Sequence, residues 1–182
     1  MIWVILAVLV LLVIWFVATY NGFVSLRNRV DEAFSTMDVY LVKRYDLIPN
    51  LVETVKGYTK HESETLEKVI KARNDAVSAT TPAETLESET ELAGTLSRLF
   101  ALKEAYPELK ANTNFMNLQD QLNKMEGEIA NARKYYNGVV KTFNTKCETI
   151  PSNIIAGICG FVKQPMFVVQ DESQRDSVKV QF

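Results

Sequence analysis

The chain has 182 residues, with 20 basic and 22 acidic side chains and a formal net charge of −2. This near-neutral balance lacks the basic patch or stripe by which proteins bind nucleic acid, so we expect no nucleic-acid partner. The single histidine and two cysteines lack the spacing of a zinc site, and we expect neither a metal nor a cofactor.

Residues 1–26 carry no charged side chain, and the first twenty are almost wholly apolar. About 20 such residues cross a hydrocarbon layer of roughly 30 Å as a helix, so we predict a transmembrane anchor over residues 1–22. A cleaved signal peptide is the alternative, but no basic residue precedes the run, which is too long for a signal's apolar region. The aromatic residues near its two ends suit the membrane interfaces or simply add apolar bulk: Trp3, Trp15, Phe16 and Tyr20.

Basic residues follow the anchor at Arg27, Arg29, Lys43 and Arg44. Because cytoplasmic flanks carry the excess of Lys and Arg, the positive charges predict that the body of the protein lies in the cytoplasm. The expected location is therefore the cell (inner) membrane, crossed once, with the N-terminus outside.

A long helix is predicted to leave the membrane and enter the soluble domain. Its apolar residues recur every three or four positions, the pattern of an amphipathic helix, at Phe23, Leu26, Val30, Ala33 and Met37. Pro49 removes a backbone donor and clashes with the carbonyl four residues earlier. Residues 46–50 are therefore predicted to form a sharp kink or a tight helix–helix turn, and we favour the turn.

Four residues form what we call the helix-break cluster: Arg44, Asp46, Pro49 and Asn50. One interpretation makes it a docking surface at the membrane-distal tip of the first helical hairpin. The other is structural: Arg44 pairs with a carboxylate on another helix, while Asp46 and Asn50 bond backbone groups freed by Pro49. We favour the structural role, because buried polar groups need partners and a proline break creates some.

Further helices are predicted downstream, with a second helix whose apolar face runs from Leu51 to Ala76 and which ends at residues 78–81. Thr81-Pro82-Ala83-Glu84 has the sequence of a capping box and begins a third, on which the acidic run 84–91 is expected to be a solvated face. A fourth has apolar residues at helical spacing from Phe115 to Phe143 and stops near residues 149–151, and a short fifth covers 152–161. Four amphipathic helices with short connections predict an all-α, antiparallel, up-and-down four-helix bundle over residues 23–160, followed by an extended C-terminal strap over 161–182 that Phe167 and Phe182 anchor.

Motifs along nearly the whole chain resemble those of one family. In the N-terminal half they are Tyr20-Asn21, Leu26-Arg27-Asn28, Val30 with Ala33, Arg44-Tyr45-Asp46-Leu47-Ile48-Pro49-Asn50-Leu51-Val52, Val55-Lys56-Gly57-Tyr58 and Ala72-Arg73. In the C-terminal half they are Tyr136-Asn137, Phe143-Asn144, Ile150-Pro151 and Phe161. On these motifs the chain resembles the LemA family, departing from it at Ile150, where an aromatic residue is usual. The resemblance implies an N-terminal membrane helix with a very short outer tail and a cytoplasmic helical bundle. It supplies no reaction, since the family's molecular activity is not established.

No motif in the sequence carries catalytic chemistry, and we expect no enzyme. His61 stands alone beside Glu62, Gly157-Ile158-Cys159-Gly160 lacks the remainder of a phosphate-binding loop, and no serine lies in a nucleophile elbow. The predicted function is a membrane-anchored helical scaffold or adaptor that self-associates, with the bilayer and further copies of the chain as partners. The alternatives are a regulatory or signalling subunit that acts through an unidentified protein partner, and an adaptor for membrane protein quality control.

Overall fold

The computed structural model describes residues 1–59 and 61–167, and within these ranges it contains six α-helices and one short 3-10 helix at Leu102–Glu104. The described residues contain no strand, and the all-α prediction is confirmed. The α-helices are α1 (Ile2–Lys56), α2 (Ser63–Ser78), α3 (Pro82–Ala101), α4 (Pro107–Lys110), α5 (Thr113–Glu148) and α6 (Ser152–Cys159).

The two longest helices, α1 and α5, form the spine of the bundle and run antiparallel. Phe23 meets Phe143 near one end, and Arg44 meets Glu126 towards the other. Residue numbers thus rise along α1 while they fall along α5. The hairpin of α2 and α3 packs beside this pair and completes the four-helix bundle.

The α2–α3 hairpin covers only the half of the bundle that lies far from the apolar N-terminal segment. Arg73 of α2 meets the carbonyl of Tyr45, and at about 1.5 Å per residue the remainder of α2 extends roughly to the level of Tyr40. In the other half, α6 and the strap residues 161–167 pack against the spine instead. The bundle therefore has two tiers, with a different second layer in each.

The predicted turn at residues 46–50 is wrong, because α1 continues through Pro49 to Lys56 without interruption. An internal proline costs about 3 kcal/mol. Four apolar residues around it are nonetheless buried, namely Ile48, Leu51, Val52 and Val55, and each contributes about 1.5–3 kcal/mol. Burial of this stripe outweighs the local cost, and the helix stays intact.

The first helix ends at Lys56 instead, and the second helix begins at Ser63 rather than at Leu51. The other predicted helix starts agree more closely with the structure. Thr81 caps α3, and Glu84 returns a hydrogen bond to the Thr81 backbone in a capping box. Of the strap, residues 161–167 are described and Phe167 is buried, whereas Phe182 lies outside the described residues.

Candidate functional site

The N-terminal part of α1 is apolar and has no packing partner among the described residues. Residues 1–18 are all exposed, and α1 is the one described helix that is long and apolar enough to cross a membrane. Trp3 lies near the start of this segment, and Trp15, Phe16 and Tyr20 lie near its end. At about 1.5 Å per residue, Trp3 and Tyr20 are separated by about 25 Å along the axis, close to the thickness of a hydrocarbon layer.

A buried cluster of charges lies where α1, α3 and α5 meet, and we call it the Arg44 cluster: Arg44, Tyr45, Glu89 and Glu126. The Arg44 side chain is 1% exposed and pairs through Nη2 with Glu89, which is 2% exposed. Its Nη1 donates to Oε1 of Glu126 at 2.6 Å, and that carboxylate is 49% exposed. The Tyr45 hydroxyl donates to Oε1 of Glu89 at 2.6 Å. One arginine thus joins three helices.

The pKa values of the cluster agree with an ion pair rather than a reactive centre. Burial by itself lowers the pKa of Arg44, but the carboxylates of Glu89 and Glu126 outweigh burial and raise it. Burial, followed by the charge of Glu89, raises the pKa of Tyr45. Both groups therefore hold their protons through the physiological range. The arrangement links the three helices and fixes their relative positions.

The rest of the helix-break cluster does not join Arg44. Asp46, Pro49 and Asn50 are all exposed on α1. The carbonyl of Tyr45, which Pro49 leaves without its helical donor, accepts a 3.4 Å hydrogen bond from Nε of Arg73. The structural interpretation of the cluster thus matches the geometry for Arg44, but the backbone partner is Arg73 rather than Asp46 or Asn50.

Glu89 is the residue that sequence reasoning missed, since the acidic run 84–91 was expected to face solvent and Glu89 is buried. The helical spacing carries a signal that identifies it. The buried residues Leu92, Leu96 and Leu99 define the inner face of α3, and a step of three residues back from Leu92 reaches Glu89. An acid on the apolar face of a helix predicts a buried cation opposite it.

The strap is held by two asparagines seven residues apart on α5. Asn144 donates to the Gln164 carbonyl at 2.9 Å and accepts from the Gln164 N–H at 2.8 Å. Asn137 forms the same pair of bonds with Phe167, each of 2.8 Å. A side-chain amide offers one donor and one acceptor, as a peptide unit does. The two side chains therefore bind the strap as a neighbouring strand would.

An open cavity of about 570 Å³ lies between α1 and α5 in the tier near the apolar segment. Leu26, Tyr135 and Val139 give it an apolar wall, and Arg29 and Lys134 place two cations among its lining residues. We call this cavity the α1–α5 groove. Its mixture of apolar and basic groups suits binding to another polypeptide more than catalysis.

The other candidates from the sequence are His61, the two cysteines and the glycine motif at residues 157–160. His61 is exposed in the connection between α1 and α2. Cys147 and Cys159 are half-buried free thiols. Gly160 adopts a left-handed conformation, with a φ of 72°, and ends α6. Within residues 1–59 and 61–167, no three His, Cys, Asp or Glu side chains are grouped in a way that could hold a metal ion.

The chain is similar in sequence to proteins of three organisms. Protein LemA of Metamycoplasma hominis is 27% identical over 145 residues, which cover 78% of this chain and 65% of that relative, a little under two thirds of its length. Magnetosome protein MamQ 2 of Paramagnetospirillum magneticum is 26% identical over 188 residues, with coverage of 87% and 69%. Magnetosome protein MamQ of Magnetospirillum gryphiswaldense is 23% identical over 192 residues, with coverage of 89% and 71%. None of these names denotes an enzyme. The LemA family profile matches residues 33–182, and the chain therefore belongs to the LemA family.

Proposed function

We propose that this protein is a membrane-anchored helical scaffold that self-associates through its bundle and carries out no reaction of its own. The observation that carries the proposal is the continuity of α1, which runs from Ile2 to Lys56 as one helix. The same rigid element enters the bilayer and forms the spine of the bundle. Any contact between bundles therefore also sets the spacing of the anchors.

The α1–α5 groove supports self-association as the mode of action. It lies directly after the apolar segment, and Tyr135 on its wall is largely exposed. Its cations Arg29 and Lys134 would pair with exposed acids of a second copy, such as Glu87 and Glu91 on α3. Such a contact joins two different surfaces, and contacts of that kind generate rings or filaments rather than closed pairs.

The anchored bundle is expected to face the cytoplasm, because Arg27 and Arg29 follow the apolar segment and basic flanks stay inside. A cysteine placed at the exposed position Asn50 tests this orientation in a background in which Cys147 and Cys159 are serine. In intact cells, a membrane-impermeant maleimide should label it only after permeabilisation. Labelling without permeabilisation would overturn the orientation.

The mass of the full-length protein after gentle extraction, with bound detergent subtracted by light scattering, tests the scaffold. A discrete assembly of several copies is expected. Tyr135→Glu places a charge in the groove and should lower the mass. Val77→Glu is the matched control, since Val77 is comparably exposed on α2 and lies outside the groove. A wild-type protein that is monomeric would refute self-association.

An adaptor that holds another polypeptide is the second candidate, favoured by the openness of the same groove. This second candidate includes both a regulatory subunit and an adaptor for membrane protein quality control. A monomer that carries a stoichiometric partner, lost in Tyr135→Glu and retained in Val77→Glu, would select this function over the scaffold.

A further inference from the structure

A second uncharged segment lies far from the anchor in the sequence. No charged residue occurs between Glu148 and Lys163, and α6 lies inside this interval. Four aliphatic side chains of the segment are 57–78% exposed, namely Ile150, Ile154, Ile158 and Val162. Ile154 and Ile158 are one helical turn apart and share a face of α6, while Ile155 and Ala156 on the other face are buried. An apolar exposed face without charges marks an interaction surface.

The fold brings α6 to the end of the bundle from which the apolar N-terminal part of α1 extends. Phe161, which directly follows the C-cap of α6, stacks on Phe23 with ring centroids 4.7 Å apart. Its ring also lies 5.8 Å from that of Tyr20. Tyr20 is about 27 Å along the helix axis from Ile2, so it lies where a membrane-spanning α1 leaves the hydrocarbon layer.

Cations surround the same segment. The ammonium group of Lys146 lies 4.7 Å from the centre of the Phe23 ring, and the Arg27 guanidinium lies 5.8 Å from that of Phe161. Lys163 bonds Glu148 at 2.7 Å, which leaves that acid paired. Basic side chains around an apolar helical face are typical of helices that lie in the headgroup layer of anionic membranes.

We propose that α6 is a second membrane contact, with Ile150, Ile154, Ile158 and Val162 buried in the interfacial layer of the bilayer that α1 spans. The occupant of this face is lipid because Phe161, which follows α6, contacts Tyr20, the residue at which the exposed apolar surface of α1 ends. The inference rests on the membrane anchoring in the proposed function. Its consequence is mechanical, since two attachment points fix the tilt of the bundle relative to the membrane.

Spin labelling of the full-length protein in nanodiscs of phosphatidylcholine and phosphatidylglycerol tests this contact. The background carries Cys147→Ser and Cys159→Ser, and a label is attached after Ile158→Cys. Collision with oxygen reports lipid, and collision with a nickel chelate reports water. Labels at Leu9 and Val77 are the controls for the hydrocarbon layer and for solvent. We expect nickel collision at position 158 to be several-fold lower than at 77, with oxygen collision between the values at 77 and at 9.

Two outcomes at position 158 would overturn the inference: nickel collision equal to that at 77, or low collision with both reagents, which indicates a protein contact such as a second copy. With a lipid-like signal at Leu9, either outcome leaves the anchor intact, whereas nickel access at Leu9 would overturn the anchor itself.

A second measurement uses a label after Val162→Cys. Ile154→Asn should raise its nickel collision by weakening the lipid contact, and Val39→Asn, at another exposed position, should leave it unchanged. An unchanged signal in Ile154→Asn would count against the membrane contact.

Discussion

The clearest test of the Arg44 cluster compares the two carboxylates that bind the same arginine. Glu89→Gln and Glu126→Gln each remove one negative charge and keep the side-chain shape. Glu89 is buried almost completely, whereas about half of Glu126 is exposed to solvent. The two changes are therefore chemically matched and differ in burial.

The expected magnitudes follow from that difference. Removing one partner of a buried ion pair leaves an uncompensated charge and costs about 3–5 kcal/mol. Since Glu126 still faces Arg44 in Glu89→Gln, we expect a loss near the lower limit, about 3 kcal/mol. Water screens the half-exposed partner, and Glu126→Gln should cost no more than about 1 kcal/mol.

Urea unfolding of the full-length protein in detergent, followed by far-UV circular dichroism, measures these losses in the free energy of unfolding. A third variant combines Arg44→Met, Tyr45→Phe and Glu89→Leu, which replaces the polar groups by apolar ones of similar size. Because such replacement is often neutral, it should recover most of the stability lost in Glu89→Gln. Equal costs for the two glutamine variants would refute the assignment of Glu89 as the buried partner.

Three further predictions concern α1 and the strap. Arg73→Met should lower the free energy of unfolding by about 1 kcal/mol, because it removes the hydrogen bond to the Tyr45 carbonyl. The loss should be smaller in a Pro49→Ala background, where the alanine N–H donates to that carbonyl. Asn144→Ala removes two hydrogen bonds of about 1 kcal/mol each, so the Gln164 amide should exchange hydrogen roughly thirtyfold faster. Folding raises the pKa of the Tyr45 hydroxyl. As the pH rises through the ordinary value of 10.0, the unfolded chain therefore loses this proton while the folded chain keeps it. Stability should therefore fall above that pH, and the fall should be shallower in Tyr45→Phe by up to about 1.4 kcal/mol per pH unit.

Each of these predictions has an internal control. If Arg73→Met lowered the free energy of unfolding equally with Pro49 and in the Pro49→Ala background, the Arg73 hydrogen bond would not compensate for the donor that Pro49 removes from the Tyr45 carbonyl. The rate of hydrogen exchange at the Gln164 amide should stay unchanged in Asn131→Ala, because Asn131 is an exposed asparagine elsewhere on α5. The alkaline loss should persist in Tyr135→Phe, since that ring is exposed, and its disappearance there would remove the case for Tyr45.

Local patterns in the sequence were sufficient for features that depend on neighbouring residues. The Thr81 capping box, the helical spacing of the apolar residues on α5 and the apolar segment before Arg27 all appear in the structure where the pattern predicts them. In each case the interactions involved lie within one helix or between the chain and its solvent. No distant partner is needed to determine the outcome.

The path of the chain at Pro49 depended on tertiary structure. Locally, the lost hydrogen bond favours a break, and the sequence around residues 46–50 supports one. The break is overridden by burial of the Ile48 and Leu51 face against other helices and by Arg73, which is distant in sequence from Tyr45 but bonds its carbonyl. Both contributions depend on partners that are distant in the sequence from the proline.

Contacts with residues distant in the sequence also decide which polar side chains are buried or bound by the protein. By itself, the sequence determined the helical class, the apolar span and the family to which the chain belongs. Only the tertiary structure decided that Glu89 enters the core, that Asn137 and Asn144 bind the strap, and that α6 lies beside Tyr20. A polar side chain can be satisfied by water or by protein, and the choice is made when distant helices close around it.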